Sequence, residues 1–411
     1  MEKKLLQVLP SIVRVADNEL EIEADFCESL RLYLENFDKV TVACPVTRDI
    51  GDSGLRRCRP LRDLPYRSKI KFISLPNAYH LRAFLRHYCV VSRLLKTEIE
   101  NADYLLFSPH ALVGDWPTVA AREAIKLQRS YAIDADVVYD DVAHAGWSRN
   151  ASWRGVIKRG LFLALFRQSY RYCLKHSGVA LLQGQDVYDA YSSFSHNPHK
   201  VYHMPVSKEE YITEEQLQRK LSGLNNGRAL KLCYVGRAID MKGPMDWLKT
   251  LHKITANGVE ISATWVGDGS LLPNMRIMAE NLGIMKFVEF PGYILDRDRI
   301  LQTLKESDMF LFCHKTRESP RCLVEALTCG CPLIGYGSAY PREIVGQCGG
   351  GLFATVGDCD DLAKIVLDLD ENRGKLRELI RLASASGRLY ERDATMQRRI
   401  DLIKQYARPN D

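Results

Sequence analysis

Leu232-Cys233-Tyr234-Val235-Gly236-Arg237-Ala238-Ile239-Asp240-Met241-Lys242-Gly243 decides how this chain is read. An apolar strand meets a glycine turn, and a short loop carrying Arg237 and Lys242 leads into a helix expected over 247–254. A planar guanidinium fork and a compact ammonium at one strand tip suit two linked phosphates. Read singly, each is an ordinary surface cation. Working outward, a second strand ends at Val266-Gly267-Asp268-Gly269 and a third at Phe290-Pro291-Gly292-Tyr293. Glycines thus recur where the carboxyl ends of parallel strands build a ligand crevice, although a lone glycine turn merely closes a βα loop.

Further along, Arg317-Glu318-Ser319-Pro320-Arg321-Cys322-Leu323-Val324-Glu325-Ala326-Leu327 puts one carboxylate in a loop and a second one turn inside the helix behind it. Two such acceptors can read sugar hydroxyls. The first peptide N–H groups of that helix lack intrahelical partners and sit at the positive end of its dipole, a cradle for phosphate. A nucleotide sugar carries both kinds of group. The plain alternative is a capped helix with Ser319 as N-cap and Pro320 at the first helical position.

In this order and spacing, together with Ala326-Leu327-Thr328-Cys329-Gly330-Cys331-Pro332-Leu333-Ile334, the pieces resemble the retaining glycosyltransferases of family 4, which have the GT-B fold. The resemblance covers essentially the C-terminal half. It implies an α/β chain of two doubly wound Rossmann-like domains facing a central cleft. It also implies transfer of a sugar from a nucleoside diphosphate sugar, on family frequency a UDP sugar, to an acceptor hydroxyl with retained anomeric configuration and with no metal or cofactor. Arg237 and Lys242 would then hold the diphosphate beside the Gly236 and Gly267 turns, and would offset charge growing on it as it departs. Glu325 would take the ribose. Glu318, with the backbone of Arg321, Cys322 and Leu323, would take the transferred sugar, and Gly292 and Tyr293 would flank the base. One departure is that six residues separate Glu318 from Glu325 where the family usually has seven, which bears on the hydroxyl Glu318 reaches and so on the sugar carried. Another is the absence of a Gly-Gly loop after the first strand. The chain has Pro10-Ser11-Ile12-Val13-Arg14 there, with Arg14 either a substitute charge or part of an acceptor loop.

At 411 residues, two domains of common size are expected rather than one core. They are an acceptor domain over 1–205, a linker over 206–229 and a donor domain over 230–385. A C-terminal stretch, 386–411, contains a helix (391–406) that by the resemblance packs back on the first domain. First-half strands are read at 5–9, 40–44, 71–74, 104–108, 137–139 and 179–183. The strand Asp136-Val137-Val138-Tyr139 runs into Asp140-Asp141-Val142-Ala143-His144. His144 is the catalytic candidate, since family members commonly carry a histidine after the corresponding strand near the donor sugar. An imidazole there donates to a sugar hydroxyl or orients the departing phosphate, unless it only satisfies loop carbonyls. His110 rivals it, and Arg14, His110 and Asp141 are acceptor-side candidates.

The net charge of +6 is unevenly spread, with eleven Lys+Arg against four Asp+Glu over residues 51–100. A helix over 153–175 has Trp153, Ile157, Leu161 and Leu165 as its apolar side and Arg167, Arg171 and Lys175 as a basic stripe. It is read either as a crossover helix with one solvated side or as a face for an anionic bilayer. No nucleic-acid motif accompanies the charge. A glycan or lipid-linked precursor in polysaccharide or glycolipid biosynthesis would suit the basic first domain as acceptor, while a small soluble acceptor stays open. Pro10 and Arg14 interrupt the first apolar stretch, and no run approaches the ~20 residues of a membrane span, so a cytoplasmic protein, peripheral on the inner face of the membrane if the basic helix docks there, is expected. The 12 cysteines lack paired zinc spacings and read as buried thiols. Asp134-Ala135-Asp136 and Asp296-Arg297-Asp298 are read as structural, the first opening a strand and the second a helix. Rival readings are a nucleotide-sugar epimerase or phosphorylase of the same fold, and an inactive partner subunit that docks through its basic face.

Overall fold

Short apolar runs form the buried strands of two separate sheets, one in each of two units: Met1–Tyr202 with Asp393–Asp411, and His203–Arg392. The computed structural model describes residues 2–10, 13–16, 19–47, 58–141, 153–202, 206–224 and 227–408.

Unit 1 holds β1 (Lys4–Val8), β2 (Val13–Ala16), β3 (Glu19–Glu23), β4 (Lys39–Thr47), β5 (Cys58–Pro60), β6 (Ile70–Pro76), β7 (Tyr104–Phe107), β8 (Ala132–Ala135), β9 (Val179–Gln183) and β10 (Pro198–Val201). Their order is β10-β9-β8-β7-β1-β4-β2-β3-β5, with β6 also on β4. The strands from β10 to β4, and β6, pair in parallel, while β3 runs antiparallel to β2 and β5. All five residues of β9 are buried, as in a sheet covered on both faces. Helices α1 (Ala24–Leu34), α2 (Leu81–Asn101), α3 (Trp116–Lys126), α4 (Trp153–Lys175) and α5 (Gly184–Tyr191) connect the strands.

Three expectations change here. The strand expected at 137–139 lies at Ala132–Ala135, where Ala132 pairs with Val179 and Ala135 with Leu182, and where Arg399 meets the charge of Asp134. Asp134 is therefore inside a strand rather than at its start. Arg14 lies in β2, its backbone in register with Thr47 and Glu21, so Val13 and Arg14 belong to a strand and not to a loop. On α4 the core face is Leu163, Phe166, Tyr170, Cys173 and Leu174, whereas Leu161 and Leu165 are 62% and 46% exposed. Leu161 and Leu165, read as part of its apolar side, point to solvent.

Unit 2 holds β11 (Leu230–Val235), β12 (Ile261–Val266), β13 (Val288–Gly292), β14 (Met309–Phe312), β15 (Leu333–Tyr336) and β16 (Gly351–Ala354), in the order β13-β12-β11-β14-β15-β16. Every pairing is parallel. This is the Rossmann order, and it reverses between β11 and β14, the point where such sheets open a crevice at their carboxyl edge. Its helices are α6 (Glu214–Ser222), α7 (Pro244–Ala256), α8 (Leu272–Asn281), α9 (Arg297–Glu306), α10 (Arg321–Thr328), α11 (Ala339–Ile344), α12 (Cys359–Glu371) and α13 (Arg373–Gly387). The described part of the stretch read as a linker, 206–224 and 227–229, belongs to unit 2. Thr213 and Gln216 form a capping box at the start of α6, Leu217 and Leu221 are buried, and the Ile212 N–H donates to the Thr328 carbonyl at 3.0 Å. Its polar composition is the solvent side of an amphipathic helix.

The last helix, α14 (Arg392–Tyr406), closes unit 1. Met396, Ile400 and Ile403 join the cluster of Leu5, Val40, Val179 and Leu181. Arg399, 1% exposed, donates to Asp134 Oδ2 at 2.6 Å. No helix among the described residues is long and apolar enough to cross a membrane.

Candidate functional site

At the carboxyl edge of the second sheet, three glycine turns pack on one another. The Gly236 N–H donates to the Val266 carbonyl at 2.9 Å and the Gly267 N–H to the Gly292 carbonyl at 2.8 Å. A Cβ on Gly267 would stand 2.0 Å from the Gly236 carbonyl oxygen, so only glycine lets these two turns touch. The loop past Gly236 then folds across the switch point onto the end of β14. Gly243, at φ +64, brings its Cα so near Cys313 that a Cβ would lie 2.0 Å from that carbonyl oxygen, and the Lys315 N–H donates to the Met241 carbonyl at 2.9 Å.

That crossing delivers Lys242 to Glu318. Its ammonium lies 2.7 Å from Oε1, with the two side chains 10% and 9% exposed. His314 sits behind the pair. Its Nε2 is 2.8 Å from the Tyr234 hydroxyl and its Nδ1 3.8 Å from Glu318 Oε1. Burial, and then the Lys242 charge, hold the His314 imidazolium far below the ordinary histidine range, so the ring is neutral. Burial likewise keeps the Tyr234 phenol protonated. With Tyr234 donating to Nε2, the ring proton falls on Nδ1, toward the Glu318 carboxylate. Arg237, by contrast, is exposed and has no carboxylate partner among the described residues.

The helix behind Glu318 starts one residue later than expected. Pro320 has ψ 125°, so it is the N-cap residue and α10 begins at Arg321, with no side-chain cap. Ser319 is therefore not the cap. The Leu323 N–H turns back to the Pro320 carbonyl at 3.2 Å. The Cys322 thiol, pushed up to about 12 by burial, stays protonated and is no nucleophile at neutral pH. One turn in, Glu325 Oε1 accepts from Arg297 Nη1 at 2.7 Å, and Arg297 Nε reaches Glu210 Oε1 at 2.5 Å. Burial opposes the charge on Arg297, but Glu325 and Glu210 outweigh it and hold its pKa above the ordinary arginine value. Asp296 accepts from the Asp298 N–H at 2.9 Å and caps α9.

Arg297 and His314 were not singled out in the sequence. The signal for Arg297 was hidden in a capping sequence, Asp296-Arg297-Asp298. That for His314 was its place four residues before Glu318, straight after an apolar strand. Arg297→Ala is expected to lower unfolding stability by about 3 kcal/mol, because two part-buried carboxylates lose their counter-charge. Arg297→Lys should recover only part of that, since an ammonium lacks the fork that spans both acids. Urea unfolding of the two variants checks the ranking.

On unit 1, the His110 side chain is 44% exposed, its ring Nδ1 is 3.8 Å from Asp115 Oδ1, and it lies edge-on to Tyr79 and Tyr139. Asp141 comes after β8, its N–H on the Val138 carbonyl at 3.1 Å. His144 lies outside the described residues. Tyr293, beside Gly292, is 39% exposed. The structure thus gathers Gly236, Lys242, Gly267, Gly292, Glu318 and Glu325 along one sheet edge of unit 2.

Residues 216–385 match the model for glycosyl transferases group 1. An uncharacterized glycosyltransferase of Methanocaldococcus jannaschii is 22% identical over 284 residues, 61% of this chain and 68% of that protein. The 2-deoxystreptamine N-acetyl-D-glucosaminyltransferase of Streptomyces fradiae is 26% identical over 181 residues, 44% of this chain and 42% of that protein, so the match spans less than half of it. Anabaena HepE, solved in complex with UDP and glucose, superposes with a TM-score of 0.69 at 16% identity, over 98% of this chain and 100% of HepE. The two Rossmann-like units are the GT-B fold.

Proposed function

We propose that this chain, a GT-B protein whose second unit matches glycosyl transferases group 1, moves a sugar from a nucleoside diphosphate sugar to an acceptor hydroxyl with retention of anomeric configuration. The observation that carries the reading is the buried Lys242–Glu318 pair, set where the strand order reverses and directly ahead of the uncapped start of α10. Arg237 and Lys242 meet the diphosphate, and the Arg321–Leu323 amides add donors at the positive helix end. The second carboxylate oxygen of Glu318 takes a sugar hydroxyl, and that of Glu325 takes the ribose. Gly292 and Tyr293 flank the base. His144 is the catalytic histidine that the sequence resemblance implies.

As the sugar departs, negative charge collects on the diphosphate. Lys242, already fixed by its bond to Glu318, stabilises it without reorganising, which is the step where preorganisation contributes most. Arg237 and Lys242 supply the charge that a metal supplies elsewhere, so turnover in chelator is part of the proposal. The complex of HepE with UDP and glucose supports UDP as the carrier. Incubation with a panel of UDP sugars and candidate glycan acceptors, followed by proton NMR of the anomeric signal, tests it. An α-linked product from an α-linked donor is expected. A β-linked product would overturn retention, and an epimerised donor without transfer would favour an epimerase.

A lipid-linked acceptor is the second part of the reading, favoured by the solvent face of α4. Leu161, Phe162, Leu165 and Tyr172 are 62%, 48%, 46% and 45% exposed on one helix. Of the basic stripe, Arg167 is tied to Asp140 at 2.9 Å and Arg171 lies over the Phe194 ring at 4.2 Å. Apolar contact therefore leads on this helix, with basic charge beside it. Leu161→Asp/Leu165→Asp should cut co-sedimentation with phosphatidylglycerol vesicles at least tenfold, and unchanged sedimentation would remove the membrane from the account.

A further inference from the structure

At the amino edge of the second sheet, opposite the glycine turns, a hollow of about 350 Å3 is lined by Gln216, Arg219, Lys220, Gly223, Arg228, Lys231, Gln302, Lys305, Glu306 and Asp308. Lys231 stands near the start of β11 and Gly236 follows its end, so the strand sets the hollow roughly 17 Å from the donor edge at about 3.3 Å per residue. Five of the lining side chains are cationic and two are acidic. Of the acids, Asp308 is spent, taking Arg228 Nη2 on both oxygens at 2.8 and 2.9 Å and the Lys231 N–H at 2.8 Å. Glu306 accepts from the Gln302 amide. The Lys220 ammonium donates to the Gly330 carbonyl at 2.7 Å, a neutral acceptor that leaves its charge in place. Neither Lys231 nor Lys305 has a side-chain hydrogen-bond or ion-pair partner among the described residues.

Lys220 and Lys305 also sit in the last turns of α6 and α9, where cations complement the helix dipole. That accounts for each singly. It does not account for Lys231, which belongs to a strand, nor for three ammonium groups facing one concavity where they repel. We infer that this hollow binds a small, multiply charged phosphate-bearing anion. The volume is at the low end of small-molecule sites. No aromatic side chain lines it, so recognition is by charge and hydrogen bonding to phosphate oxygens rather than by stacking on a base. Phosphates clustered on an inorganic chain or on a sugar share this chemistry.

Titration calorimetry at fixed ionic strength tests the site, with sodium tripolyphosphate in one arm and a hexose bisphosphate in the other. Wild type and Arg237→Ala are expected to share at least one binding event of equal affinity, because Arg237 belongs to the opposite edge, and any second event lost in Arg237→Ala belongs to that edge. Lys231→Glu/Lys305→Glu should weaken that binding at least tenfold, and Lys231→Gln/Lys305→Gln less. Unchanged affinity in both lysine pairs, absence of binding to either probe, or loss in Arg237→Ala alone would overturn the inference. Nucleotide-sugar turnover plays no part in the readout, so the site stands or falls independently of the proposed reaction.

Discussion

Lys242→Ala is expected to lower sugar transfer by about 10²–10³-fold, the loss typical when one fixed charge-stabilising donor is removed from a reacting site. The Lys242 ammonium is held 2.7 Å from Glu318 and both side chains are nearly buried, so its position is set before any ligand arrives. The same substitution leaves the Glu318 carboxylate without a counter-charge, and breaking a buried pair from one side costs about 3–5 kcal/mol. The two effects separate in Lys242→Met/Glu318→Gln, which removes both charges while keeping the volume. Its thermal midpoint should return toward wild type while turnover stays low. Recovered turnover in that double variant would show that the pair serves folding alone.

Arg399→Ala is expected to destabilise unit 1 by about 3–5 kcal/mol. Arg399 is 1% exposed on α14 and bonds Asp134 of β8 at 2.6 Å. Burial works against its charge, but Asp134 outweighs it and holds the guanidinium above the ordinary arginine value. Removing it strips the counter-charge from Asp134 and opens a void beside Ile400 and Ile403, which are part of the same core cluster. Urea unfolding followed by circular dichroism reads the loss. A change below about 1 kcal/mol, the scale of an exposed pair, would contradict the role assigned to this contact.

Much of the second sheet was legible because its strands are apolar runs that end in glycine, and those glycines are required where backbones touch, as at Gly243 and Gly267. The Glu318 to Glu325 segment was legible for the same reason: one loop and one helical turn fix both acids locally. What stayed hidden depends on partners distant in sequence. Arg297 joins Glu210 and Glu325, and nothing in its own neighbourhood announces either acid. His314 acquires its depressed basicity from burial against Tyr234, which no local pattern encodes. The 137–139 strand was misplaced because a Val-Val-Tyr run has higher strand propensity than Ala-Ile-Asp-Ala, and a neutralising Arg399 from the far end of the chain is what admits Asp134 to the sheet. On α4, helical spacing alone did not tell the core face from the solvent face, since both carry leucine.

A crystal soaked in uridine diphosphate tests the central claim most directly. The account predicts the diphosphate against Arg237, Lys242 and the Arg321–Leu323 amides, with the ribose on Glu325. Density for the nucleotide at any other place, with that edge of the second sheet empty, would contradict it.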